Sequence, residues 1–147
     1  MRIESAIFLA NLAATLAMAG VIWTVQLVHY PLFGRVGEAG FADYAAGHAT
    51  RITVLVGPLM LAELATAAAL VWARPAGMPA WAAVVGLVLV VAIWVSTWLV
   101  QVPLHAALAR GFDATAHERL VATNWVRTAA WTARAGLALW VAARLIG

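Results

Sequence analysis

Four long apolar stretches, separated by short polar connections, dominate the chain. The first runs from about Ile7 to His29 and stops at Pro31, and the second runs from about Ile52 to Trp72 and is closed by Arg74-Pro75. The third runs from about Trp81 to Pro103 and the fourth from about Asn124 to Leu145. Each is close to the roughly 20 apolar residues that a helix needs to cross a bilayer. A helix is the only open-chain structure that satisfies its own backbone groups in lipid. The pattern predicts an all-α, integral membrane four-helix bundle in up-down-up-down order, with residues 1–147 forming a single transmembrane domain. Arg2 ahead of an apolar run could suggest a secretion signal, but that run continues to Val28, too long for a cleaved segment, and reads as a retained span.

The connections differ in character. Arg74-Pro75-Ala76-Gly77-Met78-Pro79 is a short turn rich in helix breakers. The other two connections are longer and carry most of the charge. Thr115-Ala116-His117-Glu118 has capping-box spacing, so the fourth helix is expected to start in water. Residues 40–48 are expected to extend the second helix outward in the same way, and Pro58 beside Gly57 is expected to bend it. Alternating topology puts both longer connections on one membrane face. The arginine distribution (Arg35, Arg51, Arg110, Arg119 and Arg127 against Arg2, Arg74 and Arg144) tilts that face towards the cytoplasm.

Composition agrees with this reading. The chain is 65% hydrophobic and 10% charged, with a mean hydropathy of +0.94, too little charge to cover a soluble domain of this size. The absence of cysteine excludes disulfides, thiolate metal sites and iron–sulfur clusters. All nine basic residues are arginine, and with the abundance of alanine this suggests a GC-rich bacterial genome and hence the bacterial cytoplasmic membrane. The net charge of +3 comes from no basic run or basic helix face, so nucleic acid is not an expected partner. The expected partners are the lipid bilayer and either a hydrophobic small molecule or a membrane protein, with homo-oligomerisation open.

The polar residues gather at one end. His29, His48, His105 and His117 all fall at helix ends on the longer-loop face. Gln26 lies one turn below His29, and Gln101 one turn below His105. The third helix continues this stripe as Trp94 and Trp98, and the fourth offers Asn124, Arg127, Trp131 and Arg134 on one face. Polar groups at such depth are costly in lipid and turn inward, so these stripes describe a polar pocket capped by aromatic rings. Single residues of this kind also serve as headgroup anchors; it is their repetition on two helices that favours the pocket. Deeper still, Glu63 and Arg134 are expected to pair, either to hold helix register or to handle a proton on a catalytic carboxylate. An internal repeat is also visible. Gln26 and Arg35 are spaced like Gln101 and Arg110, and His48-x-x-Arg51 is matched by Asn124-x-x-Arg127.

Imidazoles from separate helices suit haem or a metal ion. His29 and His105 are expected as axial partners across the bundle, with His48 either substituting for one of them or completing a three-histidine metal site. Gln26, Arg51, Gln101, Asn124 and Arg127 are expected around the cofactor, with Arg51 and Arg127 holding haem propionates or another anion, unless they hold lipid phosphates. Phosphate loops and zinc-protease motifs are absent, and Thr50 and Thr123 lack the setting of a nucleophile.

The stretch Gln101-Val102-Pro103-Leu104-His105, followed by Leu108 and Asn124-Trp125-Val126-Arg127-Thr128, resembles the small four-helix membrane proteins of the anthrone-oxygenase-like family over the last third of the chain. His105 stands where that family's pattern has asparagine. The resemblance implies oxidation of a hydrophobic aromatic substrate by oxygen at a membrane pocket. The layout from His29 to Pro58 is similar to that of bacterial membrane protoporphyrinogen oxidases, small helical bundles that bind haem. Competing expectations are a non-catalytic subunit of a larger membrane complex, packed through small residues such as Ala13, Ala17 and Gly20, and a small transporter using Glu63.

Overall fold

Each apolar stretch folds as a helix longer than its hydrophobic segment. The computed structural model describes residues 2–147, and these form four long helices with no strand among them. They are α1 (Ile3–Phe33), α2 (Glu38–Trp72), α3 (Ala80–Leu108) and α4 (Ala114–Ile146). A helix of 31 residues, the length of α1, extends about 46 Å and so projects beyond a hydrocarbon core of about 30 Å. α1, α2 and α3 are long and apolar enough to cross a membrane. The fourth expected span does not share that composition. α4 carries Arg119, Arg127, Arg134 and Arg144 and buries two of them, Arg127 and Arg134, against its neighbours.

α1 packs beside α2 and α4, and α3 packs beside the same two helices, so α1 and α3 face each other across the bundle. At the longer-loop end Tyr30, Phe33, Phe41, Leu108 and Leu120 form a core cluster. Met18, Ile22, Met60, Ile93 and Trp131 fill the middle, and Phe8, Leu70, Met78 and Val141 fill the far end.

The helix starts depart from expectation in one place. Asp113, not Thr115, caps α4, its carboxylate accepting from the Ala116 amide at 2.9 Å. An aspartate is a strong cap and satisfies an otherwise orphaned donor. α2 does extend outward, to Glu38, after Gly37 at φ 81°, a backbone that side chains rarely adopt. It runs through Pro58 without interruption.

α1 and α3 share a feature that their hydropathy does not reveal. Each contains one widened, π-helical turn, Val25–His29 in α1 and Thr97–Gln101 in α3. The amide of Tyr30 bonds back to the Val25 carbonyl, and that of Val102 to the Thr97 carbonyl. A proline follows at the next residue in both, Pro31 and Pro103. A proline ring clashes with the carbonyl four residues before it, and a wider turn is one way to make room. Matching the two turns pairs His29 with Gln101 and Phe33 with His105.

Candidate functional site

The wide turns rotate the last segments of α1 and α3 relative to their bodies, and this decides which side chains meet. On α1 the turn leaves Gln26 and Tyr30 buried and His29 half-buried, facing α2. A 2.7 Å hydrogen bond joins His29 Nε2 to His48 Nδ1. A second, of 2.8 Å, joins the Tyr30 hydroxyl to His105 Nε2. His48 is the middle ring of the three imidazoles, its centroid 4.4 Å from that of His29 and 5.5 Å from that of His105. Phe33 packs edge-on against all three. His117 closes the end, donating from Nε2 to the Tyr30 carbonyl at 2.8 Å.

A polar layer from α4 lies behind the rings. Gln26 Oε1 accepts from Asn124 Nδ2 at 2.9 Å and from the Thr128 hydroxyl at 3.3 Å, and Gln26 Nε2 donates to the Val121 carbonyl. Gln101 Nε2 donates to the Thr123 hydroxyl at 3.1 Å. Arg127 donates to Asn124 Oδ1 at 3.3 Å and stacks its guanidinium over the Trp131 ring. Three buried atoms at this end have no hydrogen-bond partner within the protein: His48 Nε2, Gln101 Oε1 and Arg127 Nε, one each from α2, α3 and α4. Such atoms are rare in folded proteins, because each forfeits its hydration without replacement.

The structure therefore brings together most of the expected pocket: Gln26, His29, His48, Gln101, His105, Asn124 and Arg127. Arg51 is separate. It is exposed on the outer side of α2, at the loop end of a groove of about 740 Å³ between α1 and α2. His29 and His48 line the same groove, so the imidazoles stand between the buried polar layer and this opening.

Three expectations fail. The aromatic cap does not form: Trp98 is 60% exposed and stacks on Trp94 along an outer groove with Leu64 and Leu99. The widened turn at Thr97–Gln101 breaks the three-to-four spacing that would have aligned Trp94 and Trp98 with Gln101 and His105. The axial pairing of His29 with His105 is not the arrangement formed either, because His48 lies between them. Lastly, among the described residues no group of three or more His, Cys, Asp or Glu side chains is arranged to hold a metal ion. His29 Nε2 and His48 Nδ1 are spent on each other and His105 Nε2 on Tyr30, so the three rings do not converge their nitrogens on one point.

Glu63 and Arg134 do pair, but elsewhere. Glu63 is fifteen residues below His48 on α2, about 22 Å along the helix. Glu63 Oε1 accepts from Arg134 Nε at 3.2 Å and Oε2 from Trp131 Nε1 at 2.8 Å. Arg134 donates further to the Thr15 hydroxyl at 3.0 Å and to the Gly86 carbonyl. Both side chains are at most 3% exposed.

Sequence reasoning missed Tyr30, Thr15 and the adjacent Asn11, which donates to the Thr66 hydroxyl at 2.8 Å. Tyr30 had a signal, since it is an aromatic hydroxyl wedged between His29 and Pro31, but its direction depends on the wide turn. No family model matches the chain, and neither a curated protein nor a solved structure matches it.

Proposed function

We propose that the chain is an oxygen-dependent oxidoreductase of the bacterial cytoplasmic membrane that takes a hydrophobic carbon acid from the bilayer and removes a proton from it at the imidazole cluster. The observation that supports this reading is that His48, whose Nε2 is buried and unpartnered, lines a groove that opens on the outer surface between α1 and α2. A neutral imidazole nitrogen without a partner is a base in waiting. His48 Nε2 accepts the substrate proton, and the hydrogen bond from His48 Nδ1 to His29 gives the resulting charge a second ring to share it. Behind His48, the ring of His105, 5.5 Å from it and hydrogen-bonded to Tyr30, holds the base in position. The carbanion so formed adds to dioxygen through a new C–O bond, the resulting peroxide takes the proton back from His48, and loss of water with cleavage of the O–O bond and the remaining C–H bond leaves a ketone. The likeness of the last third of the chain to the anthrone-oxygenase-like proteins supports the same chemistry.

The test is oxygen uptake by the purified protein in detergent with hydrophobic CH-acidic ketones, both neutral (anthrone) and long-chain with an anionic head, alongside exchange of the acidic C–H for deuterium. The wild type is expected to accelerate both, and His48→Ala and His105→Ala to lower the rates by about 10²–10⁴-fold with the helical circular-dichroism signal retained. An absorption spectrum of the same sample separates this from the haem reading: a Soret band lost in the histidine variants would replace proton abstraction with haem chemistry. If the wild type raises neither uptake nor exchange above the rate in buffer, the proposal is overturned.

A further inference from the structure

The groove between α1 and α2 is two-natured along its length. From Leu16 to Val28 on α1, and at Ile52 and Leu55 on α2, its walls are apolar except for Thr24, whose hydroxyl donates to the Gly20 carbonyl; at the loop end it is closed by His29, Tyr44, His48 and Arg51. The distance from Leu16 to His29 is about 20 Å by helical rise. The wall residues Leu16, Val28 and Leu55 are 39–53% exposed, so the slot is entered from the side, where lipid lies, and not from the loop face.

Two glycines shape it. At Gly20, in the floor, a Cβ would meet nothing within 4 Å, so the slot is open there. At Gly47 a Cβ would stand 2.8 Å from the Arg51 Nη1, so the missing side chain is what lets the guanidinium fold back along α2. Among the described residues the single ion pair is Glu63–Arg134, and no carboxylate neutralises Arg51. The groove thus ends in an exposed guanidinium without a counter-charge, one residue before the apolar stretch of α2 that begins at Ile52, next to two imidazoles. Its volume lies in the range of sites that enclose small organic ligands.

We infer that this groove binds a single-tailed amphiphile with an anionic head, drawn laterally from the bilayer, with its tail along Leu16, Gly20 and Leu55 and its head on Arg51. This rests on the proposed reading of the imidazole cluster as the place of chemistry and names the substrate class of that cluster. Arg51 is a positioning residue: it fixes the depth at which the molecule stops, and so which atom faces His48. A guanidinium suits this task because its planar fork of donors matches a carboxylate or phosphate edge.

Occupancy is measurable without turnover. cis-Parinaric acid, a fluorescent long-chain carboxylate, and its methyl ester are titrated against the full chain in detergent. The wild type is expected to prefer the acid by about tenfold, the order of one charge-assisted contact. Arg51→Gln removes that preference while leaving the ester's affinity unchanged. Gly47→Ala, which displaces the guanidinium, reduces the preference part-way. Gly20→Phe adds a ring where the floor is open and is expected to weaken both ligands at least tenfold without loss of helicity. Equal binding of acid and ester by the wild type would overturn the proposal, as would unaltered binding by Gly20→Phe. A dimer dissociated by Gly20→Phe, in a protein that binds neither ligand, would assign the groove to a second copy of the chain and overturn it too. Failure of oxygen uptake alongside the expected binding results would sink the reaction and leave the amphiphile site standing.

Discussion

The bundle contains two buried polar centres, and they are built in opposite ways. Around Glu63 every strong hydrogen-bonding group is answered: both carboxylate oxygens accept, and the guanidinium of Arg134 reaches α1, α2 and α3 from its place on α4. Around His48 the groups are as numerous, yet one atom on each of three helices has no partner. Burial of a charge is tolerable only when it is fully compensated, and the Glu63 centre meets that condition with nothing left over for a ligand. The loop-end centre carries its desolvation cost uncompensated and lies beside an opening to the outer surface. The comparison separates two meanings of an ionisable residue within a bundle. A saturated one joins helices, and an unsaturated one is ready to engage something else.

The sharpest way to break the comparison is to unsaturate the saturated centre. Glu63→Leu leaves the Arg134 guanidinium buried without its counter-charge and is expected to cost about 3–5 kcal/mol of stability. Thermal unfolding of the purified protein in detergent reads this out. The double variant Glu63→Leu with Arg134→Leu is expected to recover most of the loss, since an apolar pair of similar volume often replaces a buried ion pair without penalty. If Glu63→Leu were instead as stable as the wild type but abolished oxygen uptake, the pair would belong to the chemistry and the division drawn here would fall. Trp131→Phe tests the same centre more gently. It removes the 2.8 Å donor to Glu63 Oε2 while keeping an aromatic ring in the core, and is expected to cost about 1.5–3 kcal/mol, the range for a hydrogen bond to a charged group.

Much of this division was legible in the residues. Four apolar stretches announce four helices, and the depth of Glu63 and Arg134 announces their pairing, because neither could stay singly charged in an apolar surround. The inward faces of α4 followed from spacing alone: Asn124, Arg127, Trp131 and Arg134 are all buried. What spacing could not supply is the widened turn. Residues beyond Thr97 are displaced from the stripe that a regular helix would continue, so Trp98 points outward while Gln101 is buried. The prolines were the available clue, since Tyr30-Pro31-Leu32 and Val102-Pro103-Leu104 occupy equivalent places in the two hairpins. Aligning on the glutamines, as the apparent repeat suggests, matches Gln26 with Gln101; aligning on the turns matches His29 with Gln101. The difference between Arg51 and Arg127 was also beyond reach. They occupy matching positions in His48-x-x-Arg51 and Asn124-x-x-Arg127, yet one is exposed on the groove and the other buried behind the rings, because α4 packs on both α1 and α3 with its polar face.

The smallest expected effect on stability is the most informative about the open centre. Gln101 is 1% exposed, and its amide makes one hydrogen bond, to Thr123, while Oε1 makes none. Replacing it by leucine forfeits that bond, worth about 1 kcal/mol net, but also removes an acceptor whose desolvation is unrepaid, a gain of about 1–3 kcal/mol. Gln101→Leu is therefore expected to leave stability unchanged or to raise it slightly, by at most about 2 kcal/mol, which a thermal melt beside the wild type measures. If Oε1 serves a bound molecule, the same variant is expected to lower the oxygen-uptake rate, because the interaction that Gln101 keeps free is then lost. A marked loss of stability would mean that Oε1 is satisfied in the folded protein after all, and the open centre would be as closed as the one around Glu63. The sign of that change, more than its size, distinguishes a residue retained for packing from one retained for a ligand.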